Sequence, residues 1–349
     1  MKKLLFCLLI TAGFFSCSED QGIGDTLGNN TPETKSVARE RPKYYTLAYK
    51  IPADIFLTPG PIATRGDLLV IGNTSPGIEG INLYSLENGT PHFAIHSWGY
   101  KDSTVTIEHA PTAVCIHDNR IYVGVADEGK VYVFDASSYG FVTTIGNGNI
   151  QADQPSDDKF AVGAPCSIVG DGDKLLIRDR LHLRIYNTAD ITSENYEAIP
   201  YYAAGKEKYP VQPTTLLNQA YVGYANYIYL TDADSKQVIC VKPLASIPAG
   251  DAVDMVEDTY SFPLAPSGAA VSEDRAYLSF GTEGVIKEYT TGGFGFRQDV
   301  VVKNNTLSEV NSLATNRVEN QPVLLISTPA AVWMVWVSPF ERMATDKAK

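Results

Sequence analysis

Residues 117–135 read HDNRIYVGVADEGKVYVFD, and they decide the fold. His117-Asp118-Asn119-Arg120 is a turn built from residues that tolerate left-handed backbone. Ile121-Tyr122-Val123 after it is a β-branched and aromatic run suited to a half-buried strand. Asp127-Glu128-Gly129 is an acidic turn, and Val131-Tyr132-Val133-Phe134-Asp135 is a second strand. Ala110-Pro111 stands ahead of the whole phrase. It returns after Ala164-Pro165 as Gly170-Asp171-Gly172-Asp173, Leu175-Leu176-Ile177, Arg178-Asp179-Arg180 and Leu183-Arg184-Ile185-Tyr186-Asn187.

Further copies start at Pro61, Pro213 and Pro266, so successive prolines are 50, 54, 48 and 53 residues apart. A degenerate sixth copy begins near Val310-Asn311 and runs through Pro322-Val323-Leu324-Leu325-Ile326 into Ala331–Val337. A period of about 40 to 55 residues carrying several short strands is the sequence mark of a propeller blade. One such sheet cannot bury both faces, whereas a closed ring of them can, and it also protects the sheet edges. The expected fold is all-β: a β-propeller of six blades, each of four antiparallel strands. The apolar segment Tyr44–Tyr49 precedes the first copy and is expected to complete the last blade. Trp333 and Trp336 are expected to pack between blades.

The order of Pro, turn, apolar strand, acidic turn and Val-x-Val-Phe-Asp resembles NHL-type and TolB-like six-bladed propellers from about Pro61 to Val337. That resemblance implies a fold and no activity, because propellers host many unrelated functions.

The N-terminus carries a separate message. Met1-Lys2-Lys3 leads into Leu4-Leu5-Phe6-Cys7-Leu8-Leu9-Ile10, a short apolar run with the form of a secretory signal. Ser16-Cys17 at its end resembles a bacterial lipoprotein signal, which implies cleavage after residue 16 and acylation of Cys17. The looser form of this signal, followed by Ser18-Glu19-Asp20, resembles Bacteroidetes lipoproteins sent to the outer face of the outer membrane. The expected organisation is a signal at 1–16, a flexible tether at 17–41, a propeller at 42–340 and a tail at 341–349. Glycines, Asn29, Asn30 and Pro32 leave the tether unable to bury a core.

Composition excludes some classes. Cleavage after residue 16 takes Lys+Arg from 28 to 26 against 40 Asp+Glu, a balance of −14. With no basic stripe, nucleic acid is not an expected partner. Cys115, Cys166 and Cys240 remain in the propeller without a CxxC or metal-ligand spacing, and one disulfide among them stays open. No cofactor, metal or catalytic motif is expected.

The phase of the repeat places the candidate site. The connections between copies and the acidic turns belong to one face, and the Asp-Gly type turns belong to the other. The long connections read as about Ser97–Ala110, Gly146–Ala164, Ala203–Gln212 and Ala249–Ala265, and long connections on a rigid scaffold commonly carry function. The expected binding face therefore holds Trp98, Tyr100, Asp127, Arg178, Asp179, Arg180, His182, Asp232 and Lys236. The expected role is that of an outer-membrane-anchored, surface-exposed lipoprotein that binds a glycan or protein partner through this face. Two alternatives stand beside it: a scaffold in an envelope complex, and a glycoside hydrolase or lyase using paired carboxylates.

Overall fold

In the computed structural model, the described residues are 45–150, 158–179, 183–192, 198, 200, 202–204, 220–222, 227–232, 235–247, 256–272, 275–281, 283–291 and 293–337. All of them fall in the unit that begins at Pro42. The first strand, β1 (Thr46–Pro52), is set aside by the chain until the end. Blade 1 follows as β2 (Pro59–Arg65), β3 (Leu68–Asn73), β4 (Gly80–Ser85) and β5 (Pro91–Ile95). A small hairpin, β6 (Ser97–Tyr100) with β7 (Ser103–Thr106), leads to blade 2: β8 (Ala113–His117), β9 (Arg120–Val125), β10 (Lys130–Asp135) and β11 (Phe141–Ile145). Blade 3 is β12 (Ser167–Asp171), β13 (Lys174–Arg178), β14 (Leu183–Asn187) and β15 (Tyr202–Ala204). Blade 4 is β16 (Ala220–Val222), β17 (Ile228–Asp232), β18 (Gln237–Val241) and β19 (Val256–Ser261). Blade 5 is β20 (Pro266–Ser272), β21 (Arg275–Phe280), β22 (Val285–Thr290) and β23 (Phe296–Asp299). Blade 6 is β24 (Ser312–Val318), β25 (Gln321–Thr328) and β26 (Ala331–Trp336), completed on its outside by β1.

The innermost strands neighbour one another around a closed circuit: β24, β2, β8, β12, β16, β20 and back to β24. Between each pair of successive blades lies one apolar cluster. This explains the continuous apolar runs of the repeat. Side chains alternate across a strand, so Leu175 and Ile177 pack against blade 2 while Leu176 packs against blade 4. Both faces are buried, and a polar alternation is not called for. Trp333 packs toward blade 5 and Trp336 toward blade 1.

The tight turns adopt the backbone their residues favour. Asp118 and Asn119 have φ of 47° and 55°, and Glu319 and Asn320 have 49° and 64°. Two-residue hairpins want this left-handed pair because its twist matches the strands.

Hydrogen bonds across blade boundaries supplement the apolar clusters. Between blades 6 and 1, Asn311 Nδ2 donates to the Pro59 carbonyl at 2.8 Å and Asn316 Nδ2 to Thr64 Oγ1 at 2.7 Å. Ser327 Oγ donates to the Gly60 carbonyl at 2.6 Å. Between blades 2 and 3, His117 Nε2 meets the Gly172 carbonyl at 2.9 Å, and its ring lies flat against Gly170. A Cβ at Gly170 would sit 2.0 Å from His117 Cγ. Gly170→Ala is therefore expected to cost about 1–3 kcal/mol through overpacking. Because the cost arises from one contact, His117→Ala should relieve much of it, a coupling that a double-mutant cycle by urea unfolding will read.

The copy start at Pro213 lies outside the described residues, and the described innermost strand of blade 4 is Ala220–Val222. Three strand placements correct the sequence expectation. The outermost strand of blade 4, Val256–Ser261, lies within Ala249–Ala265, which reads as a connection. The strand pairs with β18 from Gln237↔Ser261, yet its residues are mostly exposed, so no apolar alternation announces it. Likewise, Ala203 belongs to β15, and the connection that reads as Ser97–Ala110 contains the β6–β7 hairpin.

Candidate functional site

Antiparallel order sends the connections between blades and the turns between second and third strands to the same face. Their hydrogen bonds confirm it. Gly148 N donates to the Gly129 carbonyl at 3.3 Å, Ala53 N to the Ala330 carbonyl at 2.9 Å, and Thr74 N to the Thr58 carbonyl at 2.9 Å. The close contact at Gly129 requires glycine. Its φ is 60°, and a Cβ there would lie 2.9 Å from Gly148 backbone.

Asp127 is exposed at the tip of a single 3-10 turn, Ala126–Glu128. Its neighbour Glu128, which the sequence reading passed over, organises the surroundings. Glu128 Oε1 accepts from the backbone N–H of Glu108 at 2.8 Å and of His109 at 3.2 Å, while Oε2 accepts from the Tyr132 hydroxyl. One side chain thus ties the connection from blade 1 to the turn of blade 2. Asp158 braces the next connection from within. Its Oδ2 accepts from Asn147 Nδ2 at 2.8 Å and Asn149 Nδ2 at 3.0 Å, and those side-chain bonds hold its carboxyl below the usual carboxylate range.

Trp98 sits on β6, half-buried. Its ring stacks on Phe141 at 4.9 Å between centroids and meets Tyr132 and Phe134 edge-on at 5.1 and 5.0 Å. These contacts pin the hairpin to blade 2. Tyr100 packs edge-on against Phe141 at 5.5 Å, with Lys101 Nζ 5.2 Å from its ring centre.

Arg178, Asp179 and Asp232 are placed on this side of the ring by their strand ends but are not displayed there: their exposures are 1%, 4% and 0%. Arg178 Nη1 reaches the Thr231 carbonyl of blade 4 at 3.4 Å. Asp179 Oδ2 pairs with Arg184 Nη1 at 3.0 Å, and Arg184 also donates to the Val162 carbonyl at 3.2 Å. Asp232 Oδ1 accepts from Ser235 N at 3.2 Å and caps its own turn. The charge run Arg178-Asp179 is therefore buried bracing, which corrects its reading as part of an exposed face. Lys236 is exposed, with φ of 54°. Arg180, His182 and Cys17 lie outside the described residues.

Exposed charges among the described loops of this face are mainly acidic: Asp54, Glu108, Asp127, Glu283 and Glu309 against Lys159 and Lys236. Along the ring axis runs a cavity of about 270 Å³ walled by β2, β8, β12, β20 and β24. Its described lining is small, with Ala63, Ala113, Ala270, Ala314, Ser167 and Ser312, and none of the described lining residues is charged. Cys115 and Cys166 both contribute to this wall. Burial pushes the Cys115 thiol up to about 12. Cys115, Cys166 and Cys240 are all free thiols. Cys166 N bonds to the Arg178 carbonyl just as Thr112 N bonds to Gly124, so Cys166 stands at the level of Thr112, above Cys115.

These features define a six-bladed β-propeller with four-stranded antiparallel blades. Among solved structures, the chain is similar to the β-propeller domain of Cps50 (Swd1) from Myceliophteria thermophila, with a TM-score of 0.53 at 11% identity. The alignment covers 84% of this chain and 100% of that one. At that identity the likeness concerns the fold alone. No protein-family model matches the chain, and no curated protein does.

Proposed function

We propose that this protein is a Bacteroidetes-style lipoprotein of the outer membrane, of NHL or TolB-like type. In this reading it is acylated at Cys17, exposed on the cell surface, and binds a glycan or protein partner through the long-loop face. The observation that carries the reading is the set of connections on one face of the ring, held by bonds from their backbone and side chains to the adjoining turns: Glu128 to Glu108 and His109, and Gly148 to Gly129. Ordered connections of this kind on a rigid ring offer a surface for a partner. The signal-like N-terminus and the acidic residues after Cys17 support the anchor.

Two measurements test this. Labelled palmitate should enter the full chain and be lost in Cys17→Ala; incorporation that survives the substitution removes the anchor. Full-length protein on a glycan array, beside a Lys236→Glu variant, tests the glycan version. Binding that Lys236→Glu weakens places a glycan on this face, and silence across the array leaves the protein version.

A further inference from the structure

The connection from blade 6 to blade 1 presents the two most exposed large apolar side chains among the described residues. Ile55 is 82% exposed and Phe56 is 66% exposed. They are not at the tip of a loose loop. Asp54 and Leu57 exchange backbone bonds at 2.9 and 3.3 Å, and Phe56 N donates to Asp54 Oδ1 at 2.8 Å. Leu57, 2% exposed, roots the turn in the core between blades 6 and 1. Buried Asn73 braces it from the side, its Nδ2 donating to the carbonyls of Phe56 at 2.9 Å and Ile78 at 3.0 Å. The result is a rigid apolar projection on the long-loop face.

Rigidity matters because an ordered projection loses little conformational entropy on binding. Isolated exposed apolar residues are common on protein surfaces. Here two of them are adjacent and braced, and together they make a local apolar patch. Asp54 lies within the turn, and Glu79 follows Ile78, whose carbonyl shares Asn73 with that of Phe56. We infer that Ile55 and Phe56 form the anchor of a protein-binding site whose partner offers an apolar pocket bordered by Lys or Arg side chains. A convex anchor fits a concave pocket, and the two carboxylates match a cationic rim. The same carboxylates oppose insertion into an anionic lipid surface. The inference rests on the proposed long-loop face and narrows its partner to a protein of that chemistry.

The test is photocrosslinking in cells that naturally make the protein, using the full chain with benzoylphenylalanine in place of Phe56. Parallel probes replace Asp127 and Lys236 on the same face, and Asp118 on the opposite face. The expected result is a discrete protein adduct at position 56, mapped by mass spectrometry to an apolar segment flanked by Lys or Arg. Its yield should fall about fivefold with Asp54→Asn and Glu79→Gln combined, since these remove charge and keep the bracing acceptors. Phe56→Ser should leave Tm within about 1 °C of the parent, which separates lost contact from lost fold. A lipid adduct, an adduct to a second copy of the chain, or a yield indifferent to both charge changes overturns the inference. Crosslinking from 127 or 236 but not from 56 overturns it while leaving the long-loop face standing. Crosslinking from 118 alone, or from no position, overturns both.

Discussion

Above pH 10 the ring is expected to unfold cooperatively, with phenolate absorbance and loss of circular dichroism rising together. Tyr45, Tyr122, Tyr186 and Tyr277 are 4%, 0%, 0% and 0% exposed. Burial is the first cause that raises each phenol; Tyr122 is pushed up to about 12 and the other three lie well above the ordinary tyrosine range. The sign follows directly. In the unfolded chain these groups lose their protons near pH 10, while the folded ring keeps them. The stabilisation is fully present below pH 10 and drains away as pH rises toward the folded values. Each phenol contributes at most about 1.4 kcal/mol per pH unit, so four together approach about 5.5 kcal/mol per unit. Two units would consume the stability of an ordinary domain. Independent titration of these tyrosines in a ring that keeps its circular dichroism would refute the expectation.

Glu288→Ala is expected to destabilise the protein by about 3 kcal/mol or more. Glu288 is 1% exposed on the third strand of blade 5. It accepts from the Tyr45 hydroxyl and from Gln298 Nε2 at 2.8 Å. Its other oxygen lies 3.6 Å from Arg275 Nε and 3.5 Å from Arg297 Nη1. Removing the carboxylate takes the counter-charge from between two guanidinium groups, and breaking one side of a buried pair costs about 3–5 kcal/mol. Tyr45→Phe removes only the hydroxyl and should cost about 1 kcal/mol. Urea unfolding will read both as a lower midpoint at unchanged slope. A Glu288→Ala variant within about 0.5 kcal/mol of the parent would be the contrary result.

The blades were legible because the tight turns need particular chemistry: Asp118-Asn119 can take two left-handed residues, and few other pairs can. Once those turns are assigned to one face, the acidic turns fall to the other, so the orientation of the face was legible too. Burial within the face was not. Arg178-Asp179 reads as solvated charge, and what buries it comes from elsewhere: Arg184 across a strand, the Val162 carbonyl on a connection and the Thr231 carbonyl on the next blade. Glu128 was hidden by its neighbour, because nothing local says which of two adjacent acids turns inward to Glu108 and His109. The exposure of Ile55 and Phe56 beside buried Leu57 is likewise set by bonds within the turn at Asp54 and from Asn73 across it, which the local sequence does not announce.

The pairing of β1 with β26 also sets a schedule for synthesis. Thr46 is among the first residues of the propeller to leave the ribosome, and its partner Trp336 is among the last. Until then β1 has no place in the ring, and blades 1 and 6 each lack their neighbour. A nascent or truncated chain ending before Ala331 therefore keeps an unpaired strand at its front. Contacts that span nearly the whole chain fold slowly. The last strand of the chain therefore acts as the latch of the ring: nothing short of the full propeller can close it.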